Sequence, residues 1–359
     1  MVVLGARNHE VADEIAAIEY CYAQGWTDGL PVVPPADHLV HEMLEWAGRP
    51  QEEVVATHAA TGRRCSVFSA AVNAVMAGCR PEYFPVVLAA LEAMGRPGYN
   101  FHASTASTGG SAPLLIVSGP IAEEIGMNSG ANVFGPGNRA NATIGRAIRL
   151  TILNVFKMIP GISDQSTQGN PGKYSFCIAE HATGNPWEPL NVELGYPADV
   201  STVTVYAGGG FQNIENHGAH DPEGILLCVA DSMANLGCIS PGQSVVVLSP
   251  EHASIVASKG WSKQQVREFI YEHARGSLVE LKRAGKVQAE PAADDASRFM
   301  HRGQGAEDIL ITVAGGDAGG HSAFIPSWSR GRASLWQTRA IGVCVDCENE
   351  EEDDDDTSL

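Results

Sequence analysis

Three short apolar runs constrain most strongly what this chain can fold into. Residues 202–206 (TVTVY), 244–248 (SVVVL) and 308–314 (DILITVA) are rich in β-branched residues, and each stops at a turn of glycine, serine or proline. Uninterrupted apolar runs of this length read as strands buried on both faces. Helical patterns lie between them, over residues 222–236, 250–259 and 262–274, and residues 339–343 are expected as a last strand. Strands alternating with helices predict an α/β fold whose sheets are mostly parallel and covered by helices.

The first half is richer in helix. Val11, Ile15, Ile18 and Tyr22 fall on one face of a helix predicted over residues 9–24, and residues 37–47 form a second, shorter one. Between them GWTDGLPVVPP (25–35) carries two glycines and three prolines, which makes an extended, stiff loop. Residues 66–78 and 81–95 read as a helix pair joined by Cys79 and Arg80, started by Pro81 and stopped by Gly95. Their inner faces are apolar, so Cys79 is assigned to the core. Strands are expected at residues 113–117 and 173–180. Weak periodicity over residues 183–200 places a domain boundary near 195, giving a helix-rich α/β domain (1–195), a second α/β domain (196–345) and a disordered acidic tail (346–359).

Residues 128–149, NSGANVFGPGNRANATIGRAIR, run from a loop of asparagine and glycine straight into a helix. Asn138 is placed to cap it, accepting from a free first-turn N–H. Ile144, Ala147, Ile148, Ile152 and Val155 give the helix a buried stripe, and Asn138, Asn141, Gly145 and Arg149 a narrow polar face. Free N–H groups at the helix start and the charge of Arg139 suit a carboxylate, phosphate or developing oxyanion. The substrate-binding set expected here is Asn128, Asn132, Asn138, Arg139 and Asn141, joined by His102 and Ser104 from the hydroxyl-rich segment NFHASTASTGG (100–110).

Catalytic candidates lie in two turns after predicted strands, where α/β sheets bind ligands. One is AGGGFQNIENHGAHDPEG (207–224), with His217, His220 and Asp221; the other is GGDAGGHSAF (315–324), with Asp317, His321 and Ser322. A histidine of one turn facing an aspartate of the other would form a general base with its orienting carboxylate. The expected catalytic set is His217, Asp317, His321 and Ser322. Neither Ser322 nor Ser104 sits in a GxSxG elbow. GxGxxG and GxxxxGK[ST] loops are absent, so no cofactor is expected.

A net charge of −19 argues against nucleic acid, which needs a basic face. Glu348, Glu350–Glu352 and Asp353–Asp356 carry eight of the negatives in a run that repels itself. The opening residues lack the order of a signal peptide, and no apolar run approaches the ~20 residues of a membrane span. Eight cysteines are too sparse for a disulfide scaffold, so a reduced, cytoplasmic protein is expected. Cys344 and Cys347 form CVDC, a possible redox pair whose thiols Asp346 and the tail would hold protonated.

Four segments carry a resemblance: GWTDGLPVVPP, NAVMAGCRPEYFPVVLAALEAM, NVFGPGNRANATIGRAIRL and GNPGKYSFCIAE. Together they resemble a bacterial family that accompanies small UGSC-type (seleno)proteins, over roughly residues 15 to 230. The resemblance implies membership and no particular reaction. The partner proteins' Gly-Asp-x-Gly-Ser-Cys turn is similar in outline to residues 316–321, but its reactive cysteine is missing here, so thiol or selenol chemistry does not carry over.

The sequence thus predicts a cytoplasmic hydrolase or lyase that cleaves a small polar, anionic substrate by His/Asp chemistry. A homodimer is compatible with its apolar helices. The alternatives are a redox or partner subunit acting through Cys344, Cys347 and the tail with a small redox protein, and a metal-dependent hydrolase built on His217 and His220.

Overall fold

The computed structural model describes residues 7–342. Eight strands form two four-stranded sheets: β1 (Ala112–Ser118), β2 (Cys177–Ala179), β3 (Thr202–Gly208), β4 (Gln212–Glu215), β5 (Ser244–Leu248), β6 (Ile309–Val313), β7 (His321–Pro326) and β8 (Gln337–Ala340). The first sheet runs β8-β3-β1-β2 and the second β6-β5-β7-β4. Two short antiparallel pairs, Val54–His58 with Arg63–Ser66 and Arg275–Ser277 with Phe299–His301, stand outside them.

Side-chain alternation turns these sheets into layers. Leu114 and Ile116 of β1, Tyr206 of β3, Val245 and Val247 of β5, Leu310 of β6 and Ala323 and Ile325 of β7 share one core between the sheets. Their neighbours point the other way. Leu115, Val117, Val203 and Val205 pack on the helices α1 (Val67–Ala77), α2 (Phe84–Gly95) and α3 (Arg139–Asn154). Val246, Leu248, Ile309, Ile311 and Phe324 pack on α4 (Pro222–Ala234), α5 (Pro250–Ser258) and α6 (Lys263–His273). The order of layers is helix, sheet, sheet, helix.

This arrangement corrects the expectation of mostly parallel sheets. Only β1–β2 and β5–β6 are parallel; β1–β3, β3–β8, β5–β7 and β4–β7 are antiparallel. A strand between a helical layer and a second sheet is apolar on both faces whatever its direction, so the runs that suggested parallel pairing mark burial alone. The expected boundary near residue 195 falls inside the first sheet, since β1 and β2 precede it while β3 and β8 follow. β7 was read as loop, yet it pairs with both β5 and β4.

Local signals in the first half are realised. Asn138 caps α3 by accepting from the Asn141 N–H at 3.0 Å. Cys79 is buried in the core, and burial pushes its thiol up to about 12. Among the described residues no helix is long and apolar enough to cross a membrane. Cys344, Cys347 and the acidic tail lie outside the described residues.

Candidate functional site

The parallel pair β5–β6 ends at Leu248 and Val313, and a cavity of about 680 Å³ opens beside those ends. Three segments that the sequence kept apart line it. Asn132–Gly135 come from the loop before α3, Gly210, Phe211 and Asn213 from the turn after β3 and the start of β4, and Gly315, Gly316, His321 and Ser322 from the turn after β6 and the start of β7. A fourth wall, Asn170 to Phe176, leads into β2. The asparagine loop and the glycine turn are joined directly, because the Gly315 N–H donates to the Ser129 carbonyl at 2.8 Å.

Ser322 borders this wall, and its side chain, 4% exposed, turns with that of Phe324 toward the helical layer. Pairing of Ala323 with Val247 places it where β5 ends, beside the start of α5. Its Oγ lies 2.7 Å from Nδ1 of His252 and accepts from the Ser249 N–H at 3.2 Å. The other ring nitrogen, Nε2, lies 3.0 Å from the Asn216 carbonyl oxygen. A carbonyl only accepts, so Nε2 carries the proton; in the neutral ring Nδ1 is then the acceptor, and Ser322 donates to it. Burial holds His252 below the ordinary histidine value, against the opposing pull of the Asn216 carbonyl and Glu251. The imidazole is therefore a neutral, oriented base.

Asn216 is itself fixed. Its N–H donates to the Gly320 carbonyl, its Oδ1 accepts from Gly218 and Ala219, and its Nδ2 donates to the Gly224 carbonyl. Glu251, one residue before His252, accepts from the Gly319 and Gly320 N–H groups at 2.5 and 2.9 Å, and these bonds hold its carboxyl below the usual range. Those N–H groups are thus used within the turn.

The expected catalytic set is divided. Ser322 and His321 line the cavity. His321 is exposed, with Nδ1 3.0 Å from Asn213 Nδ2. His217 stands beside it, ring centroids 5.0 Å apart, with Nε2 3.7 Å from a Glu215 oxygen, but it does not line the cavity. Asp317 is 88% exposed and faces His181 Nε2 at 3.5 Å. The anticipated pairing of Asp317 with His217 or His321 is not formed, because the turn anchored by Glu251 carries Asp317 outward.

Of the expected binding residues only Asn132 lines the cavity, held at φ +62° with Nδ2 donating to the Pro136 carbonyl at 2.8 Å. The other asparagines knit backbone. Asn141 accepts from the Asn128 N–H and donates to its carbonyl, Asn128 bridges Gly130 and Ala131, and Asn138 reaches the Gly126 carbonyl. Arg139 donates to the Gly78 carbonyl at 3.0 Å. His102 is exposed beside the His58 ring, and Ser104 is buried and donates to the Phe101 carbonyl. The anion pocket expected at the start of α3 is therefore not assembled, and no Lys or Arg lines the cavity.

Sequence reasoning missed His252. It sits in SPEHAS, which reads as an ordinary helix start, and its partner is 70 positions away. The one available signal was a histidine in the first turn of a helix that directly follows a buried strand. His217 and His220 gather no metal-site partners: among the described residues no three or more His, Cys, Asp or Glu side chains cluster as metal ligands. Compared with protein-family models, curated proteins and solved structures, the chain matches none.

Proposed function

We propose that this protein is a hydrolase that cleaves an ester or amide of a small, uncharged organic molecule, with Ser322 as nucleophile and His252 as base. The observation that carries the reading is the 2.7 Å contact of Ser322 Oγ with His252 Nδ1, buried behind the strand end by which Ser322 borders the 680 Å³ cavity. A hydroxyl bonded to a base whose other nitrogen is held by a third group is the arrangement that activates a serine. The walls supply Phe134, Phe176, Phe211 and Val247 for an apolar body, and Asn132, Asn170 and Ser175 as polar groups. With no cation among them, they suit a neutral substrate better than the anion first expected.

In this reaction the Ser322 hydroxyl proton passes to His252 Nδ1 as Oγ attacks the acyl carbon. His252 then returns the proton to the leaving alcohol or amine. Water, losing a proton to His252, cleaves the acyl–serine bond, and the proton goes back to Ser322. His321 lines the cavity, where its ring can hold the substrate by hydrogen bond. Turnover of nitrophenyl esters of short carboxylic acids tests the reading. The full chain should release nitrophenol and Ser322→Ala should lose that activity; equal turnover by the two proteins contradicts it.

A further inference from the structure

A second cavity, of about 250 Å³, is walled by Thr27, Asp28, Arg149, Leu153, Pro160, Lys173 and Tyr174 among others. Its charges are unequal. Arg146 pairs with Asp28 through two bonds of 2.8 Å, and Lys173 grips both Asp164 oxygens at 2.6 and 2.9 Å and Ser166 Oγ at 2.6 Å. Burial opposes ionisation of Asp164, but the bonds from Lys173 and Ser166 prevail and hold its carboxyl below the usual range. That leaves Arg149. Its side chain is only 11% exposed, it comes no closer than 3.7 Å to Asp164, and it makes no hydrogen bond with any described residue.

A guanidinium has five N–H donors and no way to shed its charge at ordinary pH. Holding it mostly out of bulk water with only the 3.7 Å approach of Asp164 leaves its donors open to the cavity, where an acceptor that comes and goes can meet them. Thr27 adds to this. Its Oγ accepts from the Gly29 N–H at 3.2 Å, which leaves the hydroxyl hydrogen free to donate. Three cations, Arg146, Arg149 and Lys173, face two carboxylates, Asp28 and Asp164, so the cavity carries one positive charge in excess. Leu153, Pro160 and Tyr174 form an apolar side, and Tyr174 is half exposed at 52%.

We propose that this cavity is a binding site for a small organic monocarboxylate, its carboxylate held by Arg149 and the Thr27 hydroxyl and its short apolar body resting on Leu153, Pro160 and Tyr174. One excess positive charge matches one carboxylate, and a planar guanidinium meets a carboxylate through two parallel bonds. The site is separate from the Ser322 cavity and does not depend on the hydrolase reading.

Calorimetric titration of the full chain with sodium benzoate, beside sodium chloride and inorganic phosphate, tests the proposal. Benzoate should bind one to one, and Arg149→Met should weaken it by about tenfold or more while Tyr174→Ala weakens it less. Thr27→Val, which keeps side-chain volume, should also weaken binding and serves if Arg149→Met does not fold. Ser322→Ala should bind as the parent does, which separates this site from the first cavity. Absence of benzoate binding, or binding unchanged in Arg149→Met or Thr27→Val, overturns the proposal. Arg149-dependent binding of phosphate without benzoate overturns the ligand class.

Discussion

The Ser322 cavity and the Arg149 cavity share the segment around Asn170, yet they treat a buried polar side chain in opposite ways. Behind the wall of the first, both nitrogens of His252 have partners and no charge is present until a reaction creates one. In the second, a permanent charge sits under partial burial without a hydrogen-bond partner. Arg302 shows how the fold completes such a group when structure alone is at stake. Fully buried, it donates to Ser244 and Ser240 hydroxyls and to the Cys238 and Gln243 carbonyls. Arg302 and His252 are thus fully partnered, whereas Arg149 has only the 3.7 Å approach of Asp164.

Several substitutions break or sharpen that contrast. The largest expected effect is on turnover: His252→Gln should lower kcat by roughly 10² to 10⁴-fold with KM nearly unchanged, because the base acts on a proton rather than on binding. A matching rise in KM alone would show that His252 only shapes the cavity. Circular dichroism melting should accompany it, since an unpaired buried group costs about 1–3 kcal/mol.

The pH dependence should be one-sided. Burial holds both His252 and His58 below the ordinary histidine value of 6.5, and the unfolded chain takes up those protons first. Their contribution to stability is fully present above about pH 6.5 and is lost as pH falls through the depressed folded values. Turnover should follow the same direction, flat at neutral pH and failing in acid. A fall in activity starting above pH 7 would contradict a neutral His252.

A smaller, opposite effect is expected for Arg149→Met in the absence of ligand. Replacing a nearly buried charge that makes no hydrogen bond, with only a 3.7 Å approach to Asp164, by an apolar chain should leave the melting temperature unchanged or raise it. The equivalent change at Arg302 should lower both the melting temperature and the stability clearly, the latter by on the order of several kcal/mol, because it strands four acceptors. If both variants melt alike, the distinction between the two arginines fails. The smallest effects belong to His102→Ala and Arg139→Gln, whose exposed side chains lie away from the cavity. Turnover should be unaltered and stability should change by no more than about 0.5 kcal/mol.

The sequence showed local features well and distant pairings poorly. The Asn138 cap, the paired helices around Cys79 and strands β5 and β6 follow from neighbours within a few residues. The meeting of the asparagine loop with the segment holding His321 and Ser322 was not legible in this way, because the two follow strands of different sheets. Strand direction was illegible, since burial on both faces erases the alternation that separates antiparallel from parallel pairing. Strand β7, HSAFIP, was hidden by its polar start and its terminal proline. Asparagine was misleading in the other sense: Asn128, Asn138 and Asn141 look like ligand donors but spend their amides on backbone.

Reaction with a fluorophosphonate, followed by mass spectrometry of the digested protein, tests the central claim most directly, since only a serine activated by a base bonds to the reagent's phosphorus. The account predicts one adduct, on Ser322, formed in the intact protein and lost in His252→Ala. An unmodified Ser322 in a folded sample, or labelling that persists at the same rate without His252, would contradict it.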